Sequence, residues 1–383
     1  MDERTRVLMT GRDPSLFDGA VNPPVHRAST ILLKKVSDLY GAEVQTYGLD
    51  GMAVHRTLEK ALMEIEGGVA ALLLPSGLAA CTLPFLALCK AGDHALVTDS
   101  VYGPTRRFCD RLLKNLGVET TYFDPRISAD GLDALIKPNT KLLFLESPGS
   151  LTFEFHDCRA LTAVAQRRGV KTALDNTWSA GVFFKPFEHG VDLSIQALTK
   201  YQGGHADLLL GAILSAETTI AGLLRQTSKD IGFGTSGDDV YQALRGLRTM
   251  HLRLAQHDSS AREIAAWMEA RPEVAQVLHP ALPSFADHHL WKRDFTGAAG
   301  LFGVVLKPCA QDKLAAMLEG YKHFGLGFSW GGYESLVIPC DPQIKRTAQR
   351  WSAEGPLLRY SIGLETPADL IADLEAGFVR LGQ

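Results

Sequence analysis

Isolated charged residues in apolar runs are the first candidates for chemistry in this chain. Lys200, in "LTKYQGGHADLLLG", has no charged neighbour from Ser194 to Gly204. Such a lysine either covers apolar surface while its ammonium group reaches water, or it stays partly desolvated for covalent chemistry. The residues around Lys200 leave both interpretations open.

Asp175 and Arg359 show the same isolation. Asp175 ends the strand-like run "TALD", where a buried carboxylate is unfavourable unless it is paired. It either caps the next element or pairs with a buried cation. Arg359 lies in the largely apolar "GPLLRYSIGLE" and either forms a structural ion pair or holds a carboxylate with two parallel hydrogen bonds.

Two turns at predicted strand ends are candidates for binding the rest of a ligand. Ser76 and Gly77, in "LPSGLAA", lie where a strand passes into a helix, and the free N–H groups of such a turn bind anions. Tyr102, in "DSVYGPT", either stacks on a ligand ring or packs as an ordinary tyrosine. Together with Asp175 and Lys200, these positions fit pyridoxal phosphate, whose phosphate, ring nitrogen and aldehyde need an anion site, a carboxylate and an amine.

Composition narrows the class of function. The 383 residues are 46% hydrophobic and 21% charged, which allows a large core and roughly two or three domains. The formal net charge is -4 and no basic stripe is present, so we expect no nucleic-acid partner. The six cysteines form no CxxC-type pair, which argues against a metal site and a disulfide framework and fits a reducing compartment.

The sequence also argues against a membrane protein. "MDERTRVLMTGRDPSLFDGA" is charged from its second residue and lacks the apolar region of a signal peptide. The uncharged stretch from Val69 to Cys89 is long enough to cross a bilayer, but Pro75, Gly77 and Pro84 interrupt it. A buried strand, a turn and a buried helix explain this stretch better, so we expect a cytoplasmic protein with no membrane partner.

Short apolar strands alternate with helices from about residue 60 to 215, a pattern typical of a mostly parallel sheet covered on both faces. After about residue 240 the pattern changes. We predict one long helix or two consecutive helices, then two strands and a final helix, which together indicate a smaller α/β domain. The first 50 residues show little periodicity and contain Pro14, Pro23 and Pro24. They are candidates for an extended arm over a neighbouring subunit.

Several segments carry a family resemblance. They are "VAALLLPSGLAA", "SVYGPT", "FLESPGS", "LDNTWSAGV", "SIQALTKYQGGHADLLLGA", "HPALP", "WKRDFTGAAGLF", "FSWGGYESL" and "LRYSIGLE". The combination resembles the Cys/Met-metabolism enzymes that use pyridoxal phosphate and, within that family, the bacterial β-lyases that act on cystathionine. The resemblance implies an α/β protein of pyridoxal phosphate fold type I, the fold of aspartate aminotransferase. It implies an arm (1–51), a cofactor domain (52–243), a C-terminal domain (244–383) and a homotetramer built from dimers with shared active sites.

The resemblance gives each candidate residue a role. Lys200 matches the lysine that binds the cofactor covalently, and Asp175 matches the partner of the ring nitrogen. Tyr102 matches the tyrosine that stacks on the ring and assists catalysis. The positions that match phosphate-binding residues are Gly77, Leu78, Thr199 and Tyr47, the last lent to the neighbouring subunit. The positions that match substrate-binding residues are Arg359, Trp330, Ser329 and Tyr47.

The "YGLDG" loop departs from the family pattern. Leu49 stands where the family has an arginine that contacts the phosphate, and Asp50 adds a carboxylate beside it. Both changes predict a weaker anion site, for which Arg56 is a candidate substitute. Because this loop lines the mouth of the site in the family, the changes also put the substrate range in question.

The activity that the resemblance implies is β-elimination of L-cystathionine to homocysteine, pyruvate and ammonia. Lys200 would remove the α-proton, and Lys200 or Tyr102 would protonate the departing sulfur. A broader cysteine-S-conjugate or cystine lyase is the nearest alternative, because of the unusual loop. Trp330 and "ESPGS" favour the β-lyases over γ-lyases and γ-replacement enzymes. The intact set of candidate residues argues against a non-catalytic regulator.

Overall fold

A computed structural model describes residues 1–13, 15, 17–41 and 44–382 of the chain. Pro14, one of the prolines behind the predicted arm, lies outside the described residues. The α-helices of the described residues are α1 (Glu3–Met9), α2 (Ala53–Glu66), α3 (Gly77–Leu88), α4 (Gly103–Phe108), α5 (Ala129–Leu135), α6 (Cys158–Arg167), α7 (Thr218–Asp230), α8 (Gly237–Leu247), α9 (Met250–Glu269), α10 (His288–Asp294), α11 (Gln311–Glu319) and α12 (Pro367–Gly382).

The larger sheet has seven strands in the order β1-β7-β6-β5-β4-β2-β3. They are β1 (Ala70–Leu74), β2 (His94–Thr98), β3 (Glu119–Phe123), β4 (Thr140–Glu146), β5 (Lys171–Asp175), β6 (Leu193–Ala197) and β7 (Gly211–Ser215). Every neighbouring pair from β3 to β6 is parallel, and β7 runs antiparallel to both β6 and β1. The sheet is therefore mostly parallel, as the alternation of strands and helices predicts.

The central strands are apolar along their length because helices cover both faces of the sheet. In β4, Leu142 and Phe144 pack in one core cluster with Phe85 of α3. Leu143 and Leu145 point to the opposite face and pack in a second cluster with residues of α6. The uncharged stretch from residue 69 to 89 supplies β1, the turn and α3, as predicted.

A second sheet of five strands has the order β10-β11-β12-β9-β8. Its strands are β8 (Val274–Leu278), β9 (Leu301–Leu306), β10 (Phe324–Leu326), β11 (Ser335–Pro339) and β12 (Leu357–Ser361). It is antiparallel except for the β10–β11 pair, and α9 and α12 pack on it. The helical run after residue 240 forms two helices, α8 and α9. The predicted domain boundaries stay predictions, and the boundary after residue 243 lies inside α8.

The first residues of the chain form a helix that the sequence analysis did not predict. Helix α1 packs on α2, where Arg6 Nε donates to Glu64 Oε2 at 2.9 Å. Lys185 Nζ donates to Glu3 Oε2 at 2.7 Å. A helix of seven residues is too short for its periodicity to be detected in the sequence, and these long-range ion pairs leave no local signal.

A buried carboxylate ties the C-terminal half of the chain to the larger sheet. Asp99 follows β2, is fully buried and forms an ion pair with Arg106. Its side chain also accepts hydrogen bonds of 2.9 to 3.2 Å from the backbone N–H groups of Thr347, Ala348 and Gln349. We call Asp99, Arg106 and residues 347–349 the Asp99 clamp. It fixes the segment before β12 against the loop that carries Tyr102.

We expect Asp99→Asn to lower the free energy of unfolding by about 3 kcal/mol, because an amide cannot accept all these hydrogen bonds and leaves Arg106 buried without a counter-charge. The measurement is urea unfolding followed by tryptophan fluorescence. The control is Asp133→Asn, which removes an exposed ion pair with Arg168 (2.6 Å) and should cost less than about 1 kcal/mol. Equal losses in the two variants would contradict a special role for the clamp.

Candidate active site

The structure brings most of the predicted site residues to one cavity of about 240 Å³. Eight of the ten predicted residues line it: Gly77, Leu78, Tyr102, Asp175, Thr199, Lys200, Trp330 and Arg359. Ser329 contacts Lys200 at its edge, whereas Tyr47 is about half exposed and is not among the lining residues. The carboxyl ends of β4, β5 and β6 meet here, as expected for the ligand site of a parallel sheet.

Lys200 lies in the turn after β6 and faces the second sheet. Its Nζ donates to Ser329 Oγ at 2.9 Å and lies 5.1 Å from the centroid of the Trp330 ring. Gly331 follows with a φ of +81°, and a Cβ there would lie 3.2 Å from Lys200 Cβ. Burial, with a smaller contribution from Arg359, lowers the pKa of Lys200 to about 8. A substantial fraction of the amine is therefore neutral near pH 7.5.

Asp175 ends β5 with its carboxylate held on both oxygens. Oδ1 accepts hydrogen bonds from the Thr177 backbone N–H (3.1 Å) and hydroxyl (2.6 Å), and Oδ2 accepts one from Cys81 Sγ (3.4 Å). Burial raises the pKa of Asp175, and the Thr177 hydrogen bonds counteract this only in part. A cation in the cavity would stabilise the ionised carboxylate, which fits a protonated ring nitrogen.

Arg359, in β12, is 8% exposed. Its Nη2 donates to the carbonyl oxygens of Phe328 (2.6 Å) and Ser329 (3.1 Å), and its Nε has no hydrogen-bond partner among the described residues. Burial lowers the pKa of Arg359 to about 10. The guanidinium is thus positioned by main-chain oxygens, has no carboxylate partner in the part of the chain that the structure describes, and suits an incoming carboxylate.

Glu146 is a functional candidate that the sequence analysis did not single out. It ends β4 directly opposite Asp175 of β5, lines the cavity, and its Oε2 accepts the backbone N–H of Tyr102 at 2.6 Å. Burial and the neighbouring Asp175 raise the pKa of Glu146 well above its usual value. Burial likewise raises the pKa of the Tyr102 hydroxyl, so that this hydroxyl keeps its proton at neutral pH. A carboxylate at the end of an apolar strand was the available signal for Glu146.

The first turn of α3 forms a cradle at the end of β6. A Cβ on Gly77 would lie 2.5 Å from Ala197 Cβ, and a Cβ on Gly211 would lie 2.3 Å from Ser76 O. Ser76 Oγ accepts the N–H of Ala79 at 3.1 Å and so caps the helix. The two glycines therefore allow the helix start to approach the sheet closely, where its free N–H groups suit an anion.

The unusual loop before α2 is anchored within this chain. The carboxylate of Asp50 pairs with Lys229 of α7 at 2.5 Å, so its charge has a counter-charge nearby. Leu49 lies beside Phe233 and Gly234 in a small pocket away from the cavity. Arg56, the candidate substitute for the phosphate arginine, donates to the Gln45 side chain at 3.3 Å and is not among the lining residues.

Comparison with known proteins decides the family. The family model described as Cys/Met metabolism PLP-dependent enzyme matches residues 4–379. This chain belongs to that family. Pyridoxal phosphate is accordingly its cofactor, and the predicted fold class is confirmed by the two sheets and by the structures below. Among the described residues, no group of side chains could hold a metal ion and no helix is long and apolar enough to cross a membrane.

Relatives of this enzyme include both β-lyases and γ-synthases. A protein of Rhizobium johnstonii, provisionally named a cystathionine beta-lyase, is 49% identical over 98% of this chain and 95% of its own. The cystathionine beta-lyase of Salmonella typhimurium is 42% identical over 98% of both chains. The crystal structure of cystathionine gamma synthase from Xanthomonas oryzae pv. oryzae, in complex with cystathionine, has a TM-score of 0.92 at 30% identity and covers 100% of this chain and 99% of its own.

The residues of the cavity fit the cofactor. Lys200 would supply the amine for its aldehyde, and Asp175 would supply the carboxylate for its ring nitrogen. The Gly77 cradle, which a Cβ would fill, suits its phosphate. Among the described residues, the arginine and lysine side chains that line the cavity are Arg359 and Lys200. No further arginine or lysine among those residues lines it to hold a phosphate at the cradle. The phosphate would therefore depend on backbone N–H groups and hydroxyls within this chain.

We expect the amine of Lys200 in the cofactor-free protein to react with trinitrobenzenesulfonate along a pH curve with its midpoint near pH 8. Only the neutral amine is nucleophilic, and an ordinary lysine has a pKa of about 10.4. Peptide mass spectrometry measures modification at each position. Lys171 is the internal control, because Glu217 and Asp192 outweigh its partial burial and raise its pKa. Coinciding curves would show that Lys200 is not desolvated.

We expect Gly77→Ala to weaken binding of pyridoxal phosphate at least tenfold, on the order seen when a site is displaced by about 1 Å. The added methyl group would push the start of α3 away from β6. Titration of the cofactor-free protein, followed by absorbance, gives the dissociation constant. The matched control is Gly222→Ala in α7, where a Cβ meets nothing within 4 Å. Unchanged affinity in Gly77→Ala would argue against the cradle.

Proposed function

We propose that this enzyme catalyses the β-elimination of L-cystathionine to homocysteine, pyruvate and ammonia. The observation that carries the proposal is the contact of Lys200 Nζ with Ser329 and the Trp330 ring. These two residues belong to "SWGG", the segment in which the chain resembles β-lyases. The names of the Rhizobium and Salmonella relatives support the same reaction.

Four side chains have distinct roles in the proposed reaction. When bound, pyridoxal phosphate draws electrons from the α-carbon of an amino acid and so makes its α-proton acidic. Lys200 holds the cofactor, Asp175 holds a proton on the ring nitrogen, and Tyr102 covers the ring. Arg359 binds the α-carboxylate of the substrate and thereby fixes which Cα–H bond faces Lys200.

The pKa values of these groups suit two proton transfers. Lys200, with a pKa lowered to about 8, is a base strong enough to take the α-proton yet available in neutral form. The Tyr102 hydroxyl, whose pKa burial raises, keeps its proton and assists departure of the sulfur, as protonated Lys200 does in the alternative route. Homocysteine leaves, and the remaining three-carbon product hydrolyses to pyruvate and ammonia.

Two alternative activities share this machinery. A cysteine-S-conjugate or cystine β-lyase would use the same proton transfers, and the apolar side chains near the cavity mouth, Leu209 and Phe328, favour a broader range of S-substituents. γ-Elimination or γ-replacement would also use the fold, since the γ-synthase structure matches the whole chain. Ser329 and Trp330 beside Lys200 favour β-elimination. The convergence of Lys200, Asp175 and Arg359 on one cavity argues against a non-catalytic regulator.

The enzyme is proposed to act in the cytoplasm as a homotetramer, a dimer of dimers with shared active sites. The segment from residue 21 to 47 supports the assembly because it exposes large apolar side chains, which monomers rarely cluster on a free surface. They are Val21, Leu32, Val36, Leu39, Tyr40, Val44 and Tyr47. In this assembly Tyr47 would reach the phosphate of the neighbouring subunit and the substrate there.

The deciding experiment supplies L-cystathionine to the purified enzyme with pyridoxal phosphate and follows pyruvate and free thiol together. Lys200→Ala is the blank, and L-cystine and S-alkyl-cysteines are assayed in parallel. We expect pyruvate with equimolar homocysteine, fastest on cystathionine, and a loss of activity of at least 10³-fold in Lys200→Ala, because the base and the covalent anchor are both lost.

Other products would overturn the proposal in distinct ways. Formation of 2-oxobutyrate and cysteine means γ-elimination and shows that Ser329 and Trp330 do not select β-elimination. Turnover of only the other thioethers means that the loop at Leu49 and Asp50 has changed the substrate while the lyase chemistry is kept.

A further inference from the structure

Glu66, the last residue of α2, is a buried carboxylate that has no part in the proton transfers of the proposed reaction. It is 4% exposed. Its Oε1 accepts hydrogen bonds from Asn176 Nδ2 (2.5 Å), Gln196 Nε2 (3.0 Å) and the Ser194 hydroxyl. Its Oε2 accepts a further bond from Gln196 Nε2 at 3.1 Å. One carboxylate thus accepts hydrogen bonds from residues at the end of β5 and within β6.

These donors are neighbours in sequence of the residues that hold the cofactor. Asn176 directly follows Asp175, and Gln196 directly precedes Ala197, which lines the cavity. Gln196 Oε1 accepts a hydrogen bond from Gln202 Nε2 at 2.9 Å, and Gln202 lies two residues after Lys200. The Glu66 network, defined as Glu66, Asn176, Ser194, Gln196 and Gln202, therefore joins the backbone around Asp175 to the backbone around Lys200.

The network lies on the face of the sheet opposite the cavity. Side chains alternate along a strand, so Ser194 and Gln196 point to the α2 side while Ile195 and Ala197 point to the α3 side. Ile195 packs in the core cluster of α3, and Ala197 meets Gly77 of the phosphate cradle. Glu66 consequently supports the cofactor site from behind without contact with the cavity.

The chemistry of the network requires an acceptor at this position. Every hydrogen bond to Glu66 comes from an amide N–H or a hydroxyl. Burial raises the pKa of Glu66, while the bonds from Ser194, Asn176 and Gln196 and the charge of Lys185 oppose the increase. Lys185 Nζ is held near by the carbonyl oxygens of Ile65 and Gly181. A glutamine at residue 66 would point its NH₂ group at a donor and break the set.

We propose that Glu66 is a positioning residue, which holds Asp175 and Lys200 at the separation that the cofactor ring requires. The inference deepens the proposed function and rests on it for the catalytic readout alone. Asp175 must meet the ring nitrogen while Lys200 meets the aldehyde on the opposite side of the ring. A shift of either strand end would spoil one of the two contacts.

The test compares Glu66→Gln and Gln196→Met with a control from the same strands. Asp192, at the opposite end of β6, accepts the Thr172 backbone N–H and hydroxyl, both at 2.8 Å, and so ties β5 to β6 far from the cavity. Asp192→Asn is therefore the matched control. For each variant we would measure the dissociation constant of pyridoxal phosphate, the visible circular dichroism of the bound cofactor, kcat and KM on L-cystathionine, and thermal unfolding of the cofactor-free protein.

We expect Glu66→Gln and Gln196→Met to weaken cofactor binding about tenfold or more, to change the circular dichroism band, and to lower kcat more than they raise KM. Asp192→Asn should lower the unfolding temperature but keep the dissociation constant and the dichroism within about twofold of the unmodified enzyme. If Glu66→Gln does not fold, Gln196→Met decides the question.

A dissociation constant and dichroism within about twofold of the unmodified enzyme in the variants of the network would overturn the proposal. Equal changes in Asp192→Asn would also overturn it, because they would show that any loosening of β5 and β6 has the same effect. If the unmodified enzyme does not turn over L-cystathionine, the proposed function fails. The binding and dichroism measurements still test Glu66 in that case, because they need no substrate.

Discussion

Burial of ionisable groups is the constraint on which the site depends. Lys200, Arg359, Asp175 and Glu146 line one cavity, where the charged form of each loses most of its hydration. The pKa values of the two bases fall and those of the two acids rise. A ligand that brings a cationic ring nitrogen, an aldehyde and a carboxylate supplies new partners for Asp175, Lys200 and Arg359. The same desolvation that disfavours an isolated charge in the cavity therefore favours binding of the cofactor and the substrate.

The two sheets contribute different ionisable residues to the site. The larger sheet brings Glu146, Asp175 and Lys200 together because the carboxyl ends of its parallel strands share one edge, and the second sheet contributes Arg359 from β12. Polar residues lie on both faces of the larger sheet near this edge. Those of the ligand site face α3, and those of the Glu66 network face α2. Hydrogen bonds within that network replace the packing that apolar residues provide elsewhere in the sheet.

Much of this arrangement is predictable from the sequence, for reasons that particular residues make clear. Lys200 and Asp175 stand out because they are charged residues in apolar strand ends, which need a local cause. Cys81 and Glu66 give no such signal, because their partners Asp175 and Asn176 lie 94 and 110 residues away along the chain. Asp50 illustrates the same limit: the sequence shows its charge beside Leu49, and only the fold shows Lys229 next to it.

The Asp99 clamp limits how the two sheets can move. The backbone passes from the larger to the smaller sheet once, through α7, α8 and α9, and non-covalent contacts add further attachments. They include the clamp, the hydrogen bond from Trp178 Nε1 to the Leu301 carbonyl oxygen (3.0 Å) and the Arg126–Asp287 ion pair (2.8 Å). Tyr102 moves with one sheet and Arg359 with the other. A rotation of one sheet against the other would have to break several of these contacts, so the tyrosine and the arginine keep one mutual orientation for as long as the contacts hold.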